Sequence, residues 1–330
     1  VAKKILGLTA ALLTSHALAA HDELKPLVLF QGKLDEGTYL HMIDRGITRF
    51  EEVSLIPVTR KRLERDNEAY LSELRKNAEQ GYSPIIVQDA NSLEHFDQVA
   101  NNYPSTRFIS LDVAFDVPNI LGLTFNHAEG AYVIGYAAGL KTTTNKVGFI
   151  GGLDIPVIEN FRCGYELGLK KANPTATLST DYINTGAFSW DDSATAKRLA
   201  ETMTSNDVDV IFPVAGFASQ AVMETMKNTE GGFSFGIDYD YSSKYPNTVV
   251  ASLEKRADRA IFAALMLLKN DIWNSNEKRF GIKQGIINII INQNNSNLSD
   301  DEKEQINDVL VKLKGKNNSV TREISTLCQI

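Results

Sequence analysis

The stretch Val147–Pro174, VGFIGGLDIPVIENFRCGYELGLKKANP, decides the fold class. Val147-Gly148-Phe149-Ile150 is a short apolar run of the length a buried parallel strand needs. Gly151-Gly152 breaks the run, and Pro156 suits the first turn of a helix, where a missing N–H costs nothing. Ile158, Phe161, Tyr165 and Leu169 follow at three- and four-residue steps, so one helical face is apolar. Asn173-Pro174 stops the helix. A strand, a glycine turn and a helix in this order are the building block of a parallel α/β sheet. The glycines do not spell G-x-G-x-x-G, which weakens a dinucleotide reading. The pattern alone leaves a layered α/β domain without a ligand open.

The same rhythm runs in both directions. Upstream, Leu27–Phe30, Leu55–Val58, Ile85–Val87, Arg107–Leu111 and Ile120–Phe125 read as strands. Helices are expected over Thr38–Glu52, Asn67–Glu79 and Ser92–Asn101. Downstream, strands are expected at Leu178–Asn184, Val208–Val214, Phe233–Ile237, Val249–Leu253 and Gly285–Ile291. Asp192–Asn206, Ser219–Lys227, Arg256–Lys269 and Asp300–Lys314 read as helices. Glu129–Lys141, rich in Gly and Ala, is expected to pack closely against a neighbour. No repeat exists by identity, yet the two halves share one βα rhythm, as two doubly wound lobes would.

The 330 residues, 43% of them hydrophobic, suffice for two domains. A formal net charge of −7 argues against nucleic acid as a partner. Residues 1–19 read as a secretory signal: Lys3 and Lys4, the short apolar core Ile5–Leu13, then Ala17-Leu18-Ala19 as a cleavage site. Cys163 falls inside a helix and Cys328 in a polar tail; two free thiols are expected, although an oxidising compartment would allow pairing. The five histidines show no H-x-x-x-H metal spacing, and no G-x-S-x-G is present. The reading is therefore of a non-enzyme without cofactor or metal.

The string KVGFIGGLDIP, with Phe161, Gly164, Gly168 and Asn173-Pro174 behind it, resembles the basic membrane protein (BMP) family of ABC-transporter substrate-binding proteins. Characterised members of that family include purine-nucleoside receptors. The resemblance runs from about Leu27 to Ile291 and is strongest over Phe125–Asn173. It implies the type I periplasmic binding protein fold: an α/β protein of two lobes, residues 20–126 plus 251–283 and residues 127–250 plus 284–330, joined by a three-segment hinge. The crossings are expected near Asn126, Ala251 and Lys283. It also implies a small-molecule ligand, an inner-membrane permease as partner, a periplasmic location and a monomer. Many members carry a lipidated cysteine at the cleavage site, and here none stands there.

Ligands of open α/β sheets sit beyond the carboxyl ends of the strands. Asp35, Tyr39, Asp112, Phe188, Gly216, Asp238 and Lys255 occupy such positions, and Phe161 lies on the helix of the opening stretch. Singly, each has an ordinary explanation, such as a helix cap or a core ring. The resemblance matches them position by position. Two departures are Leu40, where the family has Asn, and Phe217, where it has a small residue. Rings for a flat base and carboxylates for ribose hydroxyls suit a purine nucleoside. The alternative is a sensor that presents another small polar ligand to a membrane receptor. A nucleoside hydrolase would need a metal-binding aspartate cluster that Asp35-Glu36 alone does not supply.

Overall fold

In the computed structural model, residues 24–328 are described, apart from 33, 36, 37, 89, 296 and 316–318. The expected signal segment 1–19 lies outside the described residues, as do Lys33, Glu36 and Gly37 before the first helix. Elements alternate as β1 (Leu27–Gln31), α1 (Tyr39–Ser54), β2 (Thr59–Leu63), α2 (Asn67–Glu79), β3 (Ile85–Val87), α3 (Phe96–Asn102), β4 (Phe108–Leu111) and β5 (Ile120–Phe125). A second series runs α4 (His127–Lys141), β6 (Lys146–Gly151), α5 (Pro156–Ala172), β7 (Thr177–Tyr182), α6 (Ser193–Thr204), β8 (Val210–Val214), α7 (Ser219–Lys227), β9 (Phe233–Ile237) and β10 (Val249–Lys255). The chain continues through α8 (Ala257–Lys269), β11 (Lys278–Phe280), β12 (Ile287–Ile291), α9 (Asp300–Lys314) and α10 (Ser319–Leu327).

Two six-stranded sheets result, ordered β11-β5-β4-β3-β1-β2 and β12-β10-β9-β8-β6-β7. Leaving aside the edge strands β11 and β12, the orders are the same one transposed by five strands, so the two lobes share one five-stranded topology. Only β12, against β10, runs antiparallel. The central strands are fully buried, as expected of parallel strands covered by helices on both faces. The chain passes between sheets after β5, after β10 and between β11 and β12. Ala251, near which the sequence puts the second passage, lies inside β10 opposite Ile291, so that passage follows Lys255 instead.

Packing of α4 on α5 shows why the helix is rich in small residues. A Cβ on Gly135 would overlap the Tyr165 carbonyl, and one on Gly168 would overlap the Tyr132 carbonyl. Backbones approach that closely only where side chains are absent.

Two expectations are corrected. The second strand is not Leu55–Val58 but Thr59–Leu63, TRKRL. It is an edge strand with alternating exposure, so it needs no apolar run. Leu55 instead ends α1 in a left-handed conformation, φ 61°, its N–H donating to Glu51 O. The cysteines are not free thiols: Cys163 and Cys328 form a disulfide. The polar tail folds back as α10, where Thr321 Oγ1 donates to Glu129 Oε1 at 2.9 Å. That return carries Cys328 to the α5 face bearing Cys163.

Candidate ligand-binding site

Asp112 is the first residue past β4, Asp238 the first past β9, and Lys255 the last of β10. Strand order sets these ends side by side across the gap between the sheets. Lys255 Nζ donates to Asp112 Oδ1 at 3.0 Å and reaches Oδ2 at 3.3 Å. His127, opening α4, brings Nε2 to 3.2 Å from Asp112 Oδ1. Burial opposes the Asp112 charge, but the Lys255 ammonium and the His127 ring outweigh it and hold this carboxyl well below the usual carboxylate range. Burial, and then the neighbouring ammonium, lowers the pKa of His127. Burial pushes Asp238 the other way, up to about 6; Lys255 partly offsets this and Asp112 adds to it. The Asp238 carboxyl is 8% exposed and makes no hydrogen bond among the described residues.

Aromatic rings wall the space beside these groups. Tyr39 opens α1, where the Thr38 hydroxyl caps the helix by accepting from His41 N–H at 3.2 Å. Lys255 Nζ stands 3.6 Å from the Tyr39 ring centroid, a cation–π contact that orients the ring. Phe161 packs on His127 with centroids 4.4 Å apart. The Trp190 ring packs against Gly152, where a Cβ would come within 2.5 Å of its Cζ3 and 2.6 Å of its Cε3. Tyr39, Phe161, Trp190, Asp112, Asp238 and Lys255 line one cavity together with Gly216 and Phe217. It holds about 820 Å³ of atom-free space, its open mouth included.

At the outer end, Arg65 follows β2 and meets Asp191 from the other lobe. Nη2 and Nε lie 2.7 and 3.1 Å from the same carboxylate oxygen. Gln31, the last residue of β1, donates its amide to Glu64 O at 2.9 Å and Asp66 O at 3.2 Å, fixing the backbone on both sides of Arg65. Gln88, just past β3, is 8% exposed on the same cavity, and its amide makes no hydrogen bond among the described residues. No group of three or more His, Cys, Asp or Glu among the described residues could hold a metal ion.

A cleft between two topologically matched lobes, lined from strand ends, is the architecture of a solute receptor. Residues 24–322 match the sequence profile of Bmp, the PnrA-like ABC transporter substrate-binding proteins. The chain belongs to this family. Basic membrane protein A1 of Borrelia garinii subsp. bavariensis is 29% identical over 276 residues, which cover 81% of this chain and 80% of the relative. Basic membrane protein A of Borreliella burgdorferi is 28% identical over 275 residues, covering 81% and 79%. Among solved structures, an ABC transporter solute-binding protein from Aeropyrum pernix K1 superposes with a TM-score of 0.77 at 19% identity, covering 93% of this chain and 97% of its own. A periplasmic solute-binding protein from Actinobacillus succinogenes, solved with bound D-allose, gives 0.62 at 15% identity, covering 78% and 96%. These structures share the two-lobe type I fold. Bmp proteins are receptors and not enzymes: they bind a small molecule and serve an ABC permease.

Of the residues expected at the site, Tyr39, Asp112, Phe161, Gly216, Asp238 and Lys255 meet in the cavity. Asp35 and Phe188 do not. Asp35 is exposed, and its backbone carbonyl accepts from the Thr38 N–H at 3.2 Å and the Thr38 hydroxyl at 2.7 Å, so it serves the helix start. Phe188 sits on a one-turn 3-10 helix with 65% exposure, and Trp190, two residues on, supplies the ring instead. Leu40 lines the cavity without a polar atom. Sequence reasoning missed Gln31, Arg65, Gln88 and Asp191. Gln31 and Gln88 stand at strand ends and were open to the rule that found Asp112. Arg65 follows an edge strand without an apolar run, so no periodic signal marks its position.

Proposed function

We propose that this protein captures a purine nucleoside in the inter-lobe cleft, outside the cytoplasm, as a monomer, and presents it to the permease of an ABC importer. One observation carries the reading: three aromatic rings, Tyr39, Phe161 and Trp190, share a cavity with Asp238, a buried carboxyl that accepts no hydrogen bond among the described residues. A base stacked on an aromatic ring gains about 1–3 kcal/mol in nucleic-acid systems. Ionised Asp238 accepts from two neighbouring ribose hydroxyls at once, which replaces the solvation that burial removed. Asp112 is held charged by Lys255 and His127 and can accept a hydrogen bond from the ligand as well. A phosphate would meet Asp112, Asp191 and Asp238 against Lys255 and Arg65 among the described lining residues, so a nucleoside suits the cleft better than a nucleotide. The basic, apolar segment at residues 1–19 supports export. Closure turns on the three passages between sheets.

A thermal-shift series with guanosine, inosine, adenosine, uridine, D-ribose and D-galactose tests this. Purine nucleosides are expected to raise the melting temperature through ligand linkage, and to change the emission of Trp190. A flat response to every nucleoside rejects the ligand, and a response to free sugars alone replaces it with a sugar.

A further inference from the structure

We infer that Arg65 reads the outer edge of the base and makes the cleft selective for 6-oxopurine nucleosides over 6-aminopurine ones. This rests on the nucleoside reading above and goes on to name the base. The sheet order gives the cavity two ends. Asp112, Asp238 and Lys255 stand at β4, β9 and β10; Gln88 follows β3, Gln31 ends β1, and Arg65 follows β2 at the sheet edge. From β4 to β2 are three strand spacings, roughly 14 Å. A nucleoside whose ribose sits on Asp238 therefore points its base toward Arg65.

The Arg65 side chain is 9% exposed. A guanidinium has five N–H groups; Asp191 takes one from Nε and one from Nη2. Nη1 makes no hydrogen bond among the described residues. The fork is set in advance, because Asp191 holds its head and Gln31 fixes the backbone at Glu64 and Asp66. Leu40, crowded with this guanidinium over Gly32, offers no side-chain polar atom; Arg65 is the charged donor at this end, beside the amides of Gln88 and Asn91, which can turn to donate or accept. An arginine only donates. Guanine and hypoxanthine present O6 and N7, both acceptors, along one edge, whereas adenine puts an amino donor in place of O6. A donor facing a donor in a buried site leaves both unsatisfied. Gln88 can turn its amide to suit either base and does not discriminate.

Titration calorimetry of the full chain with inosine, guanosine and adenosine tests the assignment. The wild type is expected to bind inosine and guanosine roughly tenfold or more tighter than adenosine, the scale of one good base contact. Arg65→Met should bring the inosine-to-adenosine ratio close to one. Should that variant fail to fold, Arg65→Lys keeps a charge beside Asp191 but lacks the flat fork, and its ratio should fall at least severalfold. Nucleoside binding without a 6-oxo preference, or a variant that weakens inosine and adenosine by one common factor, overturns the role of Arg65 while leaving the nucleoside reading intact. Absence of binding to any nucleoside removes that reading and this one together.

Discussion

Asp112 and Asp238 hold corresponding corners of the two lobes. Each is the first residue beyond the fourth strand of its series, and each has a left-handed backbone, φ 68° and 63°. A short polar side chain tolerates that conformation at modest cost. The electrostatics nevertheless diverge. Asp112 is paired with Lys255 and joined by His127 and stays charged; Asp238 makes no such pair, feels Lys255 only at a distance, and burial raises it to about 6. The matched topology thus supplies one carboxylate engaged by protein cations and one that makes no hydrogen bond among the described residues.

The raised pKa of Asp238 fixes a sign. Between its unfolded value of 3.8 and about 6, the folded chain keeps a proton that the unfolded chain has released. The stability this contributes is full below the unfolded value and is lost as pH rises through that window. Asp238→Asn, which suits the left-handed backbone, should therefore stabilise the ligand-free protein at pH 7.5 by at most about 3 kcal/mol. At pH 3.5 the difference should vanish. Urea denaturation at the two pH values measures both. The same variant should bind nucleoside roughly 10–100-fold more weakly, the scale of hydrogen bonds to a charged group. Equal stability of variant and wild type at pH 7.5 would contradict the burial argument.

Lys255→Met leaves Asp112 buried with His127 as its remaining neighbour. Breaking a buried ion pair from one side costs about 3–5 kcal/mol, because the stranded charge is uncompensated. Adding Asp112→Asn removes that charge, so the double variant should be more stable than Lys255→Met alone. Equilibrium unfolding of the four proteins in the cycle gives the coupling. A value below about 0.5 kcal/mol, the level expected of independent sites, would show that the pair does not hold this corner.

The repeating βα rhythm made the two sheets legible, because buried parallel strands are continuous apolar runs and their helices carry apolar stripes. Strand ends then located Asp112, Asp238 and Lys255. What escaped was structure whose cause lies elsewhere in the chain. TRKRL is a strand only because β1 offers it an edge, so its charged alternation carried no apolar signal. Arg65 escaped with it. Phe188 and Trp190 lie two residues apart, and only the fit of the indole on Gly152 decides which ring enters the cleft. The disulfide depended on α10 folding back, which a polar tail does not announce.

The bond between Cys163 and Cys328 spans 165 residues of sequence, a loop that takes in β7 to β12. In the chain-entropy account, a closed loop of this size restricts the unfolded ensemble, and native disulfides typically contribute about 2–5 kcal/mol. Dithiothreitol should lower the melting temperature, and Cys163→Ser with Cys328→Ser should reproduce that loss without the reductant. Ligand affinity should change little in either case, since neither cysteine lines the cavity. A melting temperature indifferent to reductant would mean that the tail adds nothing to the folded lobe.

Arg65 and Asp191 belong to opposite lobes and pair across the cleft, so a hinge opening that parts the lobes should break their ion pair. A contact made in one of two states shifts their balance by its own free energy. With side-chain exposures of 9% and 21%, the pair is worth about 1 kcal/mol. Asp191→Asn should thus lower the closed-to-open ratio of the ligand-free protein roughly fivefold. Small-angle scattering reads this as a larger radius of gyration for the variant. Saturating ligand should bring both proteins to one value, because the ligand bridges the lobes by itself. Added salt should expand the wild type more than the variant, which has lost the charge that salt screens. Identical ligand-free scattering for the two proteins at low and high salt would show that this pair rides on closure without driving it.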